Sequence, residues 1–276
     1  MTEKSTLKSA KLLNFIVITF VFSWAFWIPK ALVGQGIITN SFFASYFGGA
    51  WNLGAFGPFV AAFYLTHKCQ GKKGVINLLK RGISTDFKKK WLIPVLLLMP
   101  LITGIAYVTA QMSNNAPLDF SFLYQPHLMI YWFFYLLLLG GPLQEEFGWR
   151  GYALDILQFR YSALKSSVFL GIIWALWHLP LNFTSDVGPQ YSIAISMFVG
   201  SLITMTLLSI LFTWIYNNTN RSVLAVLLFH ASINFSSFKL FPVFESELSL
   251  SIYTLLILAT AVCVVIFWGR KKLRRD

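Results

Sequence analysis

From Trp91 to Met112 the chain contains no Asp, Glu, Lys or Arg, and the same is true of Phe42–Thr66, Leu128–Gln144, Ser166–Phe183, Tyr191–Tyr216 and Leu248–Trp268. A helix needs about 20 mostly apolar residues to cross the hydrocarbon core of a bilayer. These runs meet or approach that length, and Lys11–Val33 and Ser222–Phe241 join them with a few polar side chains, so the pattern predicts about eight spanning helices. Composition agrees. Only 12% of the residues are charged, about half the fraction of a soluble domain. The reading is an all-α, polytopic integral membrane bundle, one domain over residues 1–276.

The net charge of +12 raises nucleic acid as a partner, and its placement excludes it. If eight spans alternate sides, one side collects 20 of the 22 basic residues and the other keeps only Lys30 and Lys239. The basic loops include residues 68–90, Arg150, Arg160, Lys165, Arg221 and the tail "GRKKLRRD". This is the asymmetry of positive-inside topology and places both termini in the cytoplasm of a multi-pass cell-membrane protein. The basic residues then meet a bilayer with anionic headgroups. In the long basic loop, "VINLLKRG" is expected to lie at the interface with its apolar face in lipid. The first span has no small-residue cleavage site and is read as retained. Cys69 and Cys263 form no disulfide framework.

Ionisable groups inside spans are costly and point to function. Three stretches concentrate them. In "LLLLGGPLQEEFGWRGYAL", Gly140, Gly141 and Pro142 interrupt a helix, and Pro142 suits the first position of the next. Glu145 and Glu146 then sit in its opening turns, where the helix dipole favours negative charge. Glu146 and Arg150 share a face and can pair; Glu145 is turned about 100° away and faces something else. The second stretch, "WALWHLP", sets His178 one turn after Trp174. The third, "FHASINFSSF", sets His230 and Asn234 on one face, with Ser232 and Ser236 nearby. Together Glu145, His178, His230 and Asn234 supply a base, two imidazoles and an amide donor, the inventory for activating water and holding an oxyanion. They also approach a two-histidine, one-carboxylate metal set. Either way the reaction class is hydrolysis.

"EEFGWR" fits EExxxR, "WALWH" fits aromatic-xxx-His and "HASIN" fits HxxxN, in that order and on separate helices. The chain resembles the CPBP (Abi) family of intramembrane proteases, which includes CAAX prenyl endopeptidases of the Rce type and bacterial immunity relatives. Trp174 stands where the prenyl-protease pattern has Phe, which is closer to the bacterial branch. The resemblance implies a protease core over about residues 91–241. It makes Glu145 the water-activating base with His178 assisting, His230 and Asn234 the oxyanion partners, and Glu146 and Arg150 the groups that orient Glu145. In a metal-dependent version, Glu145, His178 and His230 would hold zinc or another divalent ion. The implied substrate is a membrane-associated protein or peptide, of the CAAX or prepro-peptide kind. Two other readings use the same residues. A proton- or ion-coupled transporter also places acids and histidines in the membrane, although no internal duplication is visible. A catalytically idle immunity or scaffold relative is the other, although every motif position is filled. No HExxH, GxGD or desaturase-type histidine pattern occurs.

Overall fold

A computed structural model describes residues 3–39, 42, 45, 53–184 and 191–275, and no strand occurs among them. In chain order the helices are α1 (Glu3–Gly34), α2 (Gly57–Arg81), α3 (Leu92–Ser113), α4 (Pro126–Leu139), α5 (Pro142–Gly148), α6 (Asp155–Gln158), α7 (Ala163–Trp177), α8 (Tyr191–Asn218), α9 (Val223–Phe235) and α10 (Glu247–Trp268). A π-helical turn, Trp149–Leu154, joins α5 to α6. Seven described segments are long and apolar enough to cross a bilayer: Lys11–Gly34, Lys89–Ser113, Pro126–Gln158, Ala163–Phe183, Ile193–Asn218, Val223–Leu240 and Glu247–Trp268. Of the remaining expected span, Phe42–Thr66, residues 43, 44 and 46–52 lie outside the described residues, and its last part opens α2.

The surface is apolar and the interior carries the hydroxyls. Leu97 and Leu101 on α3 and Ile266 on α10 stand open on the outside, whereas Thr103, Ser166, Ser209 and Thr213 are fully buried. Lipid rather than water solvates such a bundle, so apolar area gains nothing by being inside and small or hydroxylated residues pack the helix contacts. The α7–α8 contact shows the geometry. A methyl group on Gly171 would lie 2.5 Å from the Cα of Thr206, so only a residue without a side chain allows the two backbones this close. That approach brings Trp174 of α7 against Phe212 of α8, with ring centroids 5.7 Å apart.

The loops rich in basic residues gather at one end. Arg81 donates to the Gly151 carbonyl at 2.9 Å and pairs with Asp155 at 3.3 Å, and Arg221 approaches the same aspartate at 3.7 Å. Ser222 Oγ donates to the Ser84 carbonyl. Lys239 lies apart from these loops, with its ammonium 3.9 Å from the centroid of the Trp132 ring.

Three expectations need correction, and one further feature was not anticipated. The fourth span does not stop at Gln144: helical structure continues to Gln158, because Glu146 and Arg150 pair with each other inside the protein and Glu145 accepts from the Trp174 indole. The two acids therefore lie deep in the bundle rather than at its edge. For the same reason Arg150 is not a loop residue of the basic side; it is fully buried. The amphipathic stretch after the Gly71 kink of α2 buries Leu78 against protein and leaves Ile76 and Leu79 exposed, so only part of its apolar surface is left for lipid. The feature not anticipated is that the backbone of the basic tail is docked, while its basic side chains stay exposed. Carbonyls of Lys271 and Arg270 accept the first N–H groups of α7, from Ala163 and Leu164, at 2.8 and 3.2 Å. Asn217 and Asn218 each donate to a tail carbonyl at 2.7 Å, and Leu273 is buried. The tail thus supplies acceptors that a helix N-terminus otherwise lacks.

Candidate active site

The break at Gly140–Gly141 creates the site. Gly141 has φ 115°, a conformation in which a side chain is strained, and Pro142 opens α5 as expected. Breaking a helix inside a bilayer frees backbone groups that lipid cannot satisfy. Gln144 meets two of them: its side-chain oxygen accepts from the Gly141 N–H at 2.6 Å and its amide donates to the Leu139 carbonyl at 3.0 Å. Asn234 of α9 meets a third, donating to the Gly140 carbonyl at 2.8 Å.

The two adjacent carboxylates have separate surroundings. Glu146 is fully buried and accepts from Arg150 Nη1 through both oxygens, at 2.7 and 3.0 Å. One of those oxygens also accepts from His230 Nδ1 at 2.7 Å. A carboxylate oxygen can only accept there, so Nδ1 carries the proton and Nε2 faces the cavity. Arg150 is sandwiched between aromatic faces, its guanidinium carbon 3.7 Å from the Phe212 centroid and 4.7 Å from that of Trp174, an arrangement favourable for a desolvated cation. Glu145 has no cation against it. Its Oε2 accepts from the Trp174 indole N–H at 2.7 Å, and Oε1 makes no hydrogen bond among the described residues.

A single point gathers the chemistry. A methyl carbon attached at Gly141 would lie 2.9 Å from Glu145 Oε1, 3.6 Å from Asn234 Nδ2 and 3.8 Å from His230 Nε2. A carboxylate oxygen, an imidazole nitrogen and an amide thus border the open side of the Gly141 Cα, and a water in front of that side would meet all three. The point opens into a cavity of about 780 Å³ lined by Trp27, Trp174, His178 and apolar residues of α8, α9 and α10. Gly141→Ala should therefore remove at least about a hundredfold of any water-dependent turnover, since misplacement by 1 Å alone costs that much. Monodisperse elution of the variant, with turnover measured beside wild type, checks this; near-normal turnover would place the reacting water elsewhere.

Of the six expected residues, Glu145, His178, His230 and Asn234 line the cavity, while Glu146 and Arg150 stand behind it. His178 makes no hydrogen bond to Glu145 among the described residues. Its Nδ1–H donates to the Trp174 carbonyl at 2.9 Å, and its ring packs against Trp177 and Trp27. Ser232 and Ser236 do not serve the site, being bonded to the carbonyls of Leu96 and Ile233. Among the described residues no group of three or more His, Cys, Asp or Glu side chains, Glu145, His178 and His230 included, is placed to hold a metal ion. Three contributors were missed. Gln144 carried a signal, an amide three residues after a glycine break. The indole of Trp174 was noted only as a ring, and Phe212 is one of 27 phenylalanines with nothing in the sequence to single it out.

Known proteins match this layout. A family model described as Rce1-like, type II CAAX prenyl endopeptidase, matches residues 127–236, a stretch that includes all three motifs. The chain is also 30% identical over 232 residues to a CAAX prenyl protease 2 from Methanococcus maripaludis, covering 78% of this chain and 80% of that protein. Both similarities fall on the prenyl-endopeptidase side of the resemblance rather than the immunity side.

Proposed function

Because this chain belongs to the Rce1-like family of type II CAAX prenyl endopeptidases, and is a multi-pass, CAAX prenyl protease-like intramembrane endopeptidase, we propose that Glu145 activates the hydrolytic water at the point above Gly141. The supporting observation is that Glu145 Oε1, His230 Nε2 and Asn234 Nδ2 all lie within 4 Å of one point on the open side of Gly141. Glu145 Oε1 takes a proton from water as the oxygen attacks the scissile carbonyl, and later returns it to the leaving amine. Asn234 keeps one amide hydrogen on the Gly140 carbonyl and offers the other to the oxyanion. His230, held by Glu146, orients the water through Nε2, and His178 lines the cavity where the substrate enters. The substrate is a membrane-associated protein or peptide of the CAAX type.

The proposed mechanism is of the glutamate type, since among the described residues no group of three His, Cys, Asp or Glu side chains is placed to hold a metal ion. Turnover after exhaustive dialysis against a chelator is expected to stay within about twofold of the untreated protein, because a metal-dependent site loses function when stripped. A loss restored by zinc would require a metal ligand set this chain has yet to display. The basic end of the bundle is proposed to face the cytoplasm and its anionic headgroups, with both termini on that side.

The test is a quantitative map of peptide termini in membranes holding wild type or Glu145→Gln at matched levels. Termini found only with wild type support the reading and supply the substrate and the bond cut. Identical maps, with solute flux that follows a pH gradient in proteoliposomes, would favour a transporter.

A further inference from the structure

Trp174 touches four of the residues in and behind the site: Glu145, His178, His230 and Arg150. Its indole N–H donates to Glu145 Oε2 at 2.7 Å, its carbonyl accepts from His178 Nδ1 at 2.9 Å, and its face lies 4.7 Å from the guanidinium carbon of Arg150. The His230 ring meets it edge-on, with centroids 5.7 Å apart, and Phe212 does the same. The residue is almost fully buried. An indole nitrogen donates only and in one direction, so a ring fixed on three sides fixes the carboxylate that accepts from it.

We propose that Trp174 is a positioning residue: its indole N–H holds Oε2 of Glu145 and thereby turns Oε1 onto the water position above Gly141. The argument rests on the reading of Glu145 as the base, and gives it a reason for acting through one oxygen. A carboxylate without a cationic partner rotates about its last bond with little resistance. A charge-assisted bond at 2.7 Å removes that freedom before substrate arrives, which is the preorganisation a general base requires. The ring has a second task, closing the face of Arg150 opposite Phe212, and Phe can perform it. Trp174→Phe therefore separates the donor from the ring.

Two measurements on the full-length protein in detergent decide the matter. With ¹⁵N-labelled tryptophan, the indole signal that disappears in Trp174→Phe is that of Trp174. In Glu145→Gln, which offers a neutral amide oxygen in place of the carboxylate, this signal moves upfield; an unmoved signal overturns the contact. On a peptide identified by the termini map, Trp174→Phe lowers kcat about tenfold with KM within about twofold, the pattern of lost transition-state stabilisation. A kcat within twofold of wild type, or a raised KM with kcat unchanged, overturns the positioning role. Should Glu145→Gln cut as fast as wild type, the base assignment fails and the proposal with it, while the indole signal still reports whether the bond exists.

Discussion

Glu145→Gln should lower turnover by about 10²–10⁴-fold, the range of a lost general base, while the protein remains folded. Gln has the shape of Glu and keeps an oxygen for the Trp174 N–H, so the cavity wall is preserved. The substitution takes away only the capacity to accept a proton from water at Oε1. Peptide release in proteoliposomes, set beside thermal unfolding of the purified variant, separates the two effects. A variant that unfolds normally and turns over within tenfold of wild type would move the base to His178 or His230.

Glu146→Ala is expected to act through stability instead. Arg150 is fully buried, and its Nε and Nη2 have no hydrogen-bond partner among the described residues. Removing its carboxylate leaves a desolvated cation held only by the faces of Phe212 and Trp174. Breaking a buried pair in this way costs about 3–5 kcal/mol. The double variant Glu146→Ala, Arg150→Met removes both charges and should recover more than half of that loss, since an apolar pair of similar volume is often tolerated. It should remain inactive, because His230 Nδ1 has lost the carboxylate that fixes its ring. Unfolding midpoints of both single variants and the double variant give the coupling directly. A double variant no more stable than Glu146→Ala would show that the cation was not the source of the loss.

The helices were legible because their signal is a sum over about 20 residues, and a few polar side chains do not erase it. The motif residues were legible because a buried charge needs a reason, and Glu145, Glu146, Arg150, His178, His230 and Asn234 were nearly all of the intramembrane candidates. What failed was inference from hydropathy at the one place where the chain contradicts itself. Gln144 ended the expected fourth span, yet helical structure runs on to Gln158. Hydropathy scores a side chain as though it met lipid alone, whereas Glu146 and Arg150 meet each other. Arg150 was likewise counted as a loop charge for the same reason. Phe212 left no trace, since its role depends on a partner helix rather than on its neighbours in sequence. The docking of the tail left no sequence signal, since it runs through backbone carbonyls and the single buried side chain of Leu273, which hold it to α7 and α8.

The interrupted helix around Gly140, Gly141 and Pro142 sets stability and activity against each other at three positions. Replacing them with good helix formers would fuse α4 and α5, restore a continuous ladder and release Gln144 and Asn234 from covering exposed backbone. Such a chain would be a better membrane anchor and would have no room for a reactive water. Random mutation followed by selection for yield or heat resistance alone should therefore accumulate changes at this break first, and inactive survivors should carry them.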